Sequence, residues 1–407
     1  MTDHPFTLRP AADDDLEAIT ETFTSGFLMD NTPEFADGIR PVYEPGRWLL
    51  AEDGDRLIGT SAIFTRDLSV PGAVIPAAHV SGVSVRPTDR RRGVLSAMMR
   101  RQLTEAPEPV AALWASQSAL YRRYGYRDAA DAVSYSGDLR LAGVPQSTVS
   151  GRIREITPEQ ARENLPEVYA EAVGQRPGLS TRPNGWWDKR LQDPQSQRHG
   201  AGARRVLVHE NTEGAVDGYV LWRSEMKWGE AGPAYNLIVE EFIAADTDVY
   251  LALWHFLSGL DFAATFTWRR GAAFDERLRH LVGEPRHLQP RFTDALWIRL
   301  VDLPAALTAR AYMRDLDVVL DVTDPIVEAN RGRWRLVVRD GEATCERTDR
   351  PAALAMGVDV LGGIYLGGRP LRLYASLGQV TEHLSGAVDA ATTAFSWPVA
   401  PTGIEVF

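Results

Sequence analysis

Cysteine is nearly absent from this sequence: Cys345 is the only one in 407 residues, so no intrachain disulfide can form. The N-terminal segment shows neither a basic n-region nor an apolar h-region, and we therefore expect a cytoplasmic protein. Long hydrophobic runs are missing as well. The most apolar long window, residues 251–266, is interrupted by polar residues and is shorter than a bilayer span, so we expect no membrane insertion.

Motifs for metal-dependent and serine hydrolase chemistry are also lacking. The eight histidines show no HExxH motif and no close ligand spacing, so no metal is predicted. No G-x-S-x-G motif is present, which leaves serine hydrolase chemistry without support. The segment GGIYLGG at 362–368 lacks the Lys-Ser/Thr of a phosphate-binding loop, and we interpret it as the end of a helix.

Basic residues are fewer than acidic ones: 44 Lys and Arg against 55 Asp and Glu give a formal net charge of −11. This balance disfavours nucleic acid as a partner and suits a neutral or cationic substrate. With 44% hydrophobic and 24% charged residues, the composition is that of a globular protein. A chain of 407 residues, at about 150 residues per domain, predicts two or three domains.

The first part of the chain has the periodicity of a mixed sheet around one helix. The predicted elements are a strand at 6–8, a helix at 11–23, strands at 47–51, 56–68 and 73–85, a helix at 95–103, a strand at 110–115, a short helix at 119–124 and a strand at 134–138. The three strands between 47 and 85 are expected to form an antiparallel meander.

Turn-forming residues interrupt any period between 139 and 151, which indicates a linker and the start of a second unit. The order of elements after it roughly repeats that of the first unit, so we expect a duplicated fold. A third α+β unit follows. Its predicted elements are strands at 316–321, 333–339 and 342–348 and helices at 304–312, 358–365 and 380–384.

The strongest local signal is VSVRPTDRRRGVLS at 83–96, which places a strand end, a basic turn, a glycine and a helix start in succession. Backbone N–H groups at such a helix N-terminus favour an anion, and Gly93 lets a phosphate approach the backbone. Arg90, Arg91 and Arg92 are three candidates for charged contacts to a pyrophosphate. The alternative is a solvent-exposed turn that only begins a helix.

A second signal is ALYRRYGY at 119–126. Tyr121 lies four residues before Gly125, so a short helix can direct its phenol across the sheet toward the basic turn. A phenol pKa of about 10 is near the thiol pKa of about 8.5, which suits a proton donor to a leaving thiolate. A tyrosine that belongs only to the hydrophobic core is the alternative.

Together these segments resemble the GNAT acetyltransferases, whose motif Arg/Gln-x-x-Gly-x-Gly/Ala follows a valine-rich strand. Here the motif is RRRGVL at 90–95, with Leu95 in place of Gly or Ala. The RRRG-x-L form, the YRRYGY segment, the length and the final Phe407 resemble a narrower group, the Eis family of multi-acetylating aminoglycoside N-acetyltransferases.

The resemblance implies an α+β (α/β) architecture: tandem GNAT-like domains with central mixed sheets, plus a C-terminal sterol-carrier-protein-like α+β domain. The corresponding domains are an N-terminal catalytic domain at 1–139, a second GNAT-like domain at 140–290 and the C-terminal domain at 291–407. It also implies a homohexamer, a trimer of dimers, that acts on a small-molecule amine.

The resemblance further implies that acetyl-CoA is the co-substrate. The residues implied to contact it are Val83, Ser84, Val85, Arg91, Arg92, Gly93, Val94, Leu95, Ser96, Ser116 and Gln117. Tyr121 is implied as the proton donor to the thiolate, and the α-carboxylate of Phe407 as the base. The acceptor would be primary amines of a cationic small molecule such as an aminoglycoside, at several positions, by direct transfer in a ternary complex.

The sequence leaves open which residues would bind the amine substrate. Where the resembled family has an acidic residue after a Phe-Thr pair, this chain has Ser25 and Gly26. Acidic residues nearby could attract a polyamine, although solvated loop charges are the alternative; they are Asp30, Glu34, Asp37 and Glu44. A hypothesis from another class is a lipid- or partner-binding protein with acyl-CoA as a regulatory ligand.

Overall fold

The computed structural model describes residues 6–230 and 232–407, and the elements, counts and absences below refer to them. Residues 1–5, where the predicted first domain begins, lie outside the described residues. The chain divides into two compact units. The first contains residues up to 130, residues 296–398 and Phe407, and the second contains residues 131–295 and 399–406.

Residues 7–130 contain six strands and four α-helices. The strands are β1 (Thr7–Pro10), β2 (Trp48–Asp53), β3 (Arg56–Val70), β4 (Ala73–Val85), β5 (Val110–Trp114) and β6 (Arg127–Asp128). The helices are α1 (Leu16–Phe27), α2 (Pro33–Ile39), α3 (Val94–Glu105) and α4 (Ser118–Tyr121). The predicted meander is confirmed as β2, β3 and β4, and the helix predicted at 95–103 is confirmed as α3.

Residues 131–295 build the second unit. Its strands are β7 (Asp131–Gly137), β8 (Arg152–Ile156), β9 (Arg205–Glu210), β10 (Val216–Glu225), β11 (Trp228–Gly229), β12 (Gly232–Pro233), β13 (Tyr235–Ala244), β14 (Ala263–Ala272) and β15 (Arg291–Asp294). Its helices are α5 (Leu139–Ala142), α6 (Pro158–Gln175), α7 (Asn184–Leu191), α8 (Thr247–Ser258) and α9 (Leu278–Leu281).

The chain after residue 295 returns to the first unit. The strands are β16 (Leu296–Leu300), β17 (Leu316–Thr323), β18 (Gly332–Arg339), β19 (Glu342–Arg347), β20 (Leu354–Gly357) and β21 (Val380–Glu382). The helices are α10 (Leu303–Thr308), α11 (Val358–Ile364), α12 (Leu371–Ser376) and α13 (Ala387–Phe395).

Three larger sheets organise the described residues. The first has seven strands in the order β1-β2-β3-β4-β5-β16-β6, and the second has seven in the order β15-β7-β14-β13-β10-β9-β8. The third has five strands in the order β19-β18-β17-β20-β21. In both seven-stranded sheets, one parallel pair is joined by a helix: β4 and β5 by α3, and β13 and β14 by α8. This β-α-β connection brings the ends of both strands to one edge of the sheet.

Helix α3 lies on the first sheet through an apolar stripe. Met98, Met99 and Leu103 are buried, and Val94 is buried at the first position of the helix. Their spacing places them on one face of a helix with 3.6 residues per turn. Burial of this stripe holds the helix N-terminus beside the end of β4.

The pairing of one strand differs from the prediction. The strand at 134–138, expected to complete the first sheet, is β7, and it pairs with β14 and β15 of the second sheet. The first sheet is completed by β16, which lies between β5 and β6. Both segments are strand-like, so their periodicity identifies a strand but leaves the pairing partner open.

One further element differs from the predictions. The segment at 380–384, expected to be helical, contains strand β21. The segment GGIYLGG at 362–368, interpreted as the end of a helix, does contain the end of α11 at Ile364. A Cβ atom at Gly362 would lie 2.4 Å from the carbonyl oxygen of Ile298, so glycine is required for α11 to pack against β16.

None of the helices in the described residues combines the length and the apolar character that crossing a bilayer requires.

Candidate active site

The first unit contains an opening between its two parallel strands. Residues of β4 pair with β5 from Ala77 to His79, and His79 is opposite Ala112 in the last pair. Beyond that pair, β4 continues to Val85 and β5 to Trp114. Backbone N–H and C=O groups on the facing edges are therefore placed to bond an extended ligand chain.

A β-bulge shapes the far end of β4. Two residues of β4, Gly82 and Val83, oppose the single Ser61 of β3. Gly82 has a φ of 58°, and a Cβ atom there would lie 2.7 Å from the ring of Trp48. Bulges bend a strand and increase its twist. The predicted coenzyme-binding segment Val83–Val85 is this bent strand end.

Helix α3 begins directly after the turn that follows β4. Gly93 is the N-cap residue, with a φ of 86°, and no side chain accepts a hydrogen bond from the first-turn amides. The N–H of Ala97 donates to the carbonyl of Gly93, which leaves the amides of residues 94–96 at the open end of the helix. Such an end carries partial positive charge and suits an anion.

The three arginines of the turn have different partners. Arg90 donates to the carbonyl of Gly26 at 2.6 Å, and Arg92 forms an ion pair with Asp89 at 2.6 Å. Arg91 is exposed, has a φ of 64°, and has no ion-pair partner among the described residues. Arg91 is therefore the arginine whose guanidinium is available to a phosphate group.

The buried side chain of Asp89 stabilises the turn. Its side chain is buried, with 2% exposure, and accepts hydrogen bonds from Arg56 at 2.9 and 3.0 Å and from Thr88 at 2.8 Å. Burial by itself raises the pKa of Asp89, but the hydrogen bonds from Arg56 and Thr88 outweigh burial, so the pKa is lowered. An ionised Asp89 therefore holds the turn at neutral pH, a role that the sequence analysis did not identify.

Helix α1 ends against the same strand. A Cβ atom at Gly26 would lie 2.0 Å from the Oγ of Ser84 and 3.1 Å from the carbonyl oxygen of Val85. The hydroxyl of Ser84 donates to the carbonyl of Phe23 at 3.3 Å. No side chain fits at Gly26, which is the position where the resembled family prompted a search for a carboxylate.

Two of the four acidic residues near this helix have polar partners of their own. Asp37 lies 3.6 Å from Arg40, and Glu44 accepts a hydrogen bond from the Thr65 hydroxyl at 2.6 Å. Asp30 is exposed. These contacts favour the alternative of solvated loop charges.

Tyr121 is the last residue of α4 and is buried, with 4% exposure. Burial raises the pKa of Tyr121 above its ordinary value, and a hydrogen bond with the Ser116 side chain opposes part of this rise. The phenol is therefore protonated at neutral pH, as a proton donor must be. Ser116 precedes α4, so the hydrogen bond ties Tyr121 to the carboxyl end of β5.

A second tyrosine connects this segment to the helix N-terminus. The hydroxyls of Ser96 and Tyr124 lie 3.0 Å apart. Ser96 belongs to the first turn of α3, and Tyr124 follows α4 by three residues. The elements that carry the predicted coenzyme contacts and Tyr121 are thus neighbours at one edge of the first sheet.

Phe407 lies in the first unit, beside β4. Its backbone oxygen accepts a hydrogen bond from the Ser81 hydroxyl, and its ring centroid is 4.7 Å from that of His79. His79 belongs to the last paired position of β4 and β5, so Phe407 is located where the opening begins. Ser81 and His79 were absent from the predicted site because they look like ordinary alternating strand residues.

Within residues 6–230 and 232–407, no group of three or more His, Cys, Asp or Glu side chains is arranged to hold a metal ion.

Family models match three parts of the chain. Residues 7–129 and 178–300 each match an acetyltransferase (GNAT) domain, and residues 303–402 match a sterol carrier protein domain.

Relatives match over most of their length. An uncharacterized N-acetyltransferase of Streptomyces avermitilis is 40% identical over 356 residues, which is 86% of each chain. The N-acetyltransferase Eis of Mycobacterium tuberculosis is 31% identical over 381 residues, 89% of each chain. The crystal structure of Eis1 from Mycobacterium abscessus aligns with a TM-score of 0.83 at 29% identity and covers 98% of this chain and 100% of that one.

Proposed function

The chain belongs to the Eis family of N-acetyltransferases within the GNAT superfamily, and from this premise we propose that it acetylates primary amines of a cationic small molecule such as an aminoglycoside, at several positions. The predicted architecture of tandem GNAT domains and a C-terminal sterol-carrier-protein-like domain is confirmed, as is the enzyme class. The domain boundaries at 139 and 290 stay a prediction.

The observation that carries the proposal is the opening between β4 and β5 with an uncapped helix N-terminus at its end. GNAT domains generally use acetyl-CoA, which supplies an activated thioester. We propose that the bulged strand end at 83–85 binds its pantetheine arm and that the amides of residues 93–96 and Arg91 bind its diphosphate. Ser116 and Gln117 would complete the site at the end of β5.

We assign the two proton transfers to Tyr121 and Phe407. The terminal carboxylate of Phe407, held by Ser81, would take the proton that the attacking amine loses. Tyr121 would give its proton to the departing thiolate sulfur, and the raised pKa keeps that proton in place until then. Both steps occur in one ternary complex, with direct transfer of the acetyl group from sulfur to nitrogen.

The proposed assembly follows the family resemblance. We propose a cytoplasmic homohexamer, a trimer of dimers. The formal net charge of −11 suits a cationic amine substrate.

Thiol release with a panel of amines tests the activity. With acetyl-CoA present, we expect CoA thiol to appear with an aminoglycoside, spermidine or n-butylamine, and not with the matched alcohol n-butanol. Mass spectrometry of the aminoglycoside is expected to show more than one added acetyl group. Tight binding of acetyl-CoA without amine-dependent thiol release would instead favour the alternative of a binding protein regulated by acyl-CoA.

Asp89→Asn tests the turn that holds the diphosphate site. The substitution removes the charge that binds Arg56 and Arg92, so we expect the KM for acetyl-CoA to rise about three- to tenfold and kcat to change less. The melting temperature is expected to fall by about 2–4 °C. Asp55→Asn, at an exposed aspartate of the neighbouring β2–β3 turn, is the matched control. An equal KM in the two variants would contradict the assignment.

A further inference from the structure

The second unit repeats the β-α-β connection of the first unit but not its open helix N-terminus. The carboxylate of Asp246 accepts hydrogen bonds from the N–H groups of Asp248 at 2.8 Å and Val249 at 2.9 Å, so a negative charge caps α8. At α3 the cap residue is Gly93, which has no side chain. A diphosphate would be repelled at α8. The contacts of the C-terminal residues indicate a different role for this unit.

The last residues of the chain change from one unit to the other and back. Residues 399–406, which we call the tail, belong to the second unit, whereas their neighbours in sequence, Pro398 and Phe407, belong to the first. Residues 401–403 are buried. The tail, all of which the structure describes, contains neither a helix nor a strand. Contacts with the rest of the second unit therefore have to hold it in place.

The first of these contacts binds the backbone of Ala400. Arg176 and Asp275 form an ion pair of 2.6 Å. The N–H of Ala400 donates to the carboxylate of Asp275 at 3.1 Å, and the carbonyl of Ala400 accepts a hydrogen bond from the guanidinium of Arg176 at 2.6 Å. Both polar groups of this peptide backbone are thus bound by charged side chains, which strengthens the hydrogen bonds.

The second contact binds the backbone of Thr402. The N–H of Thr402 donates to the carbonyl of Pro177 at 3.0 Å. A Cβ atom at Gly178 would lie 2.1 Å from the carbonyl oxygen of Thr402, and Gly178 has a φ of 95°. Glycine alone adopts this backbone conformation without strain. The tail can therefore approach this segment closely only because residue 178 has no side chain.

The third contact binds the side chain of Glu405. Its Oε1 lies 3.2 Å from the Nε of Arg182, whose side chain is fully buried. Arg182 also donates to Glu241 at 2.8 and 2.6 Å, and its guanidinium lies 3.9 Å from the centroid of the Tyr169 ring. These partners fix the orientation of the guanidinium. Glu405 therefore meets a positive charge that the core of the second unit already holds in position.

We propose that these contacts form a clamp that positions the terminal carboxylate, and that Gly178 and Arg182 are positioning residues for the acetyl transfer. The clamp consists of Arg176, Pro177, Gly178, Arg182 and Asp275. This inference rests on the proposed role of Phe407 as the base. Within it, the second unit contributes to turnover by holding the chain that ends in the base.

The length of chain beyond the clamp determines how widely the carboxylate can move. The two residues after Glu405 span at most about 7 Å. A tail released from the clamp would leave the segment 399–407 free after Pro398. Such a segment has a root-mean-square end-to-end distance of about 16 Å. The accessible volume is then about ten times larger, and the local concentration of the carboxylate falls in proportion.

Gly178→Ala tests the clamp, with Gly174→Ala as the matched control. The new Cβ of the first variant meets the carbonyl of Thr402, so we expect the tail to detach. Gly174 is an exposed residue of α6, and a Cβ atom there would have no described atom within 4 Å beyond its own helix backbone and chain neighbours. Digestion with carboxypeptidase Y, followed by mass spectrometry, measures the release of Phe407. We expect about tenfold faster release from Gly178→Ala and the wild-type rate from Gly174→Ala.

Glu405→Gln tests the contact with Arg182 from the side of the tail. The substitution keeps the size of the side chain and removes its charge, so we expect release to be about threefold faster and kcat about threefold lower. Glu163→Gln, at an exposed glutamate of α6, is the matched control. Near-ultraviolet circular dichroism checks that the variants are folded. This variant tests the clamp even if Gly178→Ala does not fold.

Steady-state kinetics in two backgrounds separate positioning from a structural effect. In the wild-type background, Gly178→Ala is expected to lower kcat about tenfold, with the KM for acetyl-CoA within about twofold of wild type. In a chain extended by two glycines after Phe407, the same substitution is expected to change kcat less than about twofold. The reason is that the base that the clamp positions is already lost in the extended chain.

Four results would overturn the positioning role. These are wild-type release from both tail variants, faster release without loss of kcat, an equal loss of kcat in both backgrounds, or a KM for acetyl-CoA that rises as much as kcat falls. Full turnover in the extended chain would instead overturn the proposed base. Because the digestion needs neither acetyl-CoA nor an amine, a failure of the clamp is distinguishable from a failure of the proposed acetyl transfer.

Discussion

Adding two glycines after Phe407 is expected to lower kcat about 100- to 1,000-fold while the KM for acetyl-CoA changes little. The extension converts the α-carboxylate into a neutral amide, so the proposed base is lost. The aromatic ring and its contact with His79 are retained, because the side chain itself is unchanged. Steady-state kinetics with acetyl-CoA and a primary amine measure the effect.

The expected loss of kcat depends on the pKa values of the terminal carboxylate and of the substrate ammonium. A free α-carboxylate has a pKa of about 3.5 and a lysine-like ammonium a pKa of about 10.4, so proton transfer from the ammonium is strongly uphill. The carboxylate can act as a base only if the neutral amine reaches the site or if burial brings the two pKa values together. We therefore expect kcat/KM of the wild type to rise from about pH 6 to 9.

Phe407→Leu is the matched control for the extension. It keeps the terminal carboxylate and removes only the aromatic ring, so kcat is expected to stay within about threefold of wild type. Full activity in the extended chain would rule out the terminal carboxylate as the base. A flat pH profile would argue against amine deprotonation as the limiting step.

Tyr121→Phe is expected to lower kcat about 100-fold, with the dissociation constant for acetyl-CoA within about twofold of wild type. The substitution removes one hydroxyl from a buried ring and leaves the packing of α4 intact. Without the phenol, the thiolate has to leave unprotonated or take a proton from water. Single-turnover measurements separate this chemical step from product release.

The matched control for Tyr121 is Tyr126→Phe. The Tyr126 ring lies edge-on to that of Tyr121 at 6.1 Å, and its buried hydroxyl has no hydrogen-bond partner within the described residues. Removing this hydroxyl is expected to leave kcat unchanged. If Tyr121→Phe kept full turnover while Tyr124→Phe lost it, the proton donor would be Tyr124, whose hydroxyl contacts Ser96.

The pH dependence of turnover is an independent test of Tyr121 as the proton donor. Burial raises the pKa of Tyr121 above its ordinary value, so the phenol stays protonated throughout the range in which the amine becomes neutral. Loss of turnover on the alkaline side is therefore expected only above about pH 10. Tyr121→Phe should lack this alkaline loss, because no phenol remains to ionise.

Much of the candidate coenzyme site was predictable because it is local in the sequence. A strand end, a turn with a glycine and an apolar helical stripe follow one another within residues 83–103, and each depends on neighbours a few positions away. The structure confirms β4, the turn and α3 in this order. The role of each arginine was not predictable, because Arg90 is bonded to Gly26 and Arg92 to Asp53, and the positions of Gly26 and Asp53 relative to the turn depend on the fold.

Asp89 and Gly26 also have partners that the local sequence does not reveal. The run PTDRRRG contains one acidic residue among basic ones, a signal that could have identified Asp89 as a partner of the turn. Nothing in the local sequence says that Arg56 would be its main partner. The close approach of Gly26 to Ser84 likewise depends on how α1 lies across the strand end.

By itself, the sequence determined the family, the order of strands and helices in most segments, and the strand-turn-helix that suits a diphosphate. These features depend on backbone preferences and periodicity over short stretches of chain. The tertiary structure alone decided which strands pair, so that β16 completes the first sheet and β7 the second. It also brought Phe407 to Ser81, 326 residues away in sequence. Such contacts arise from the packing of whole units, since many apolar segments could pair locally and only the complete core selects among them.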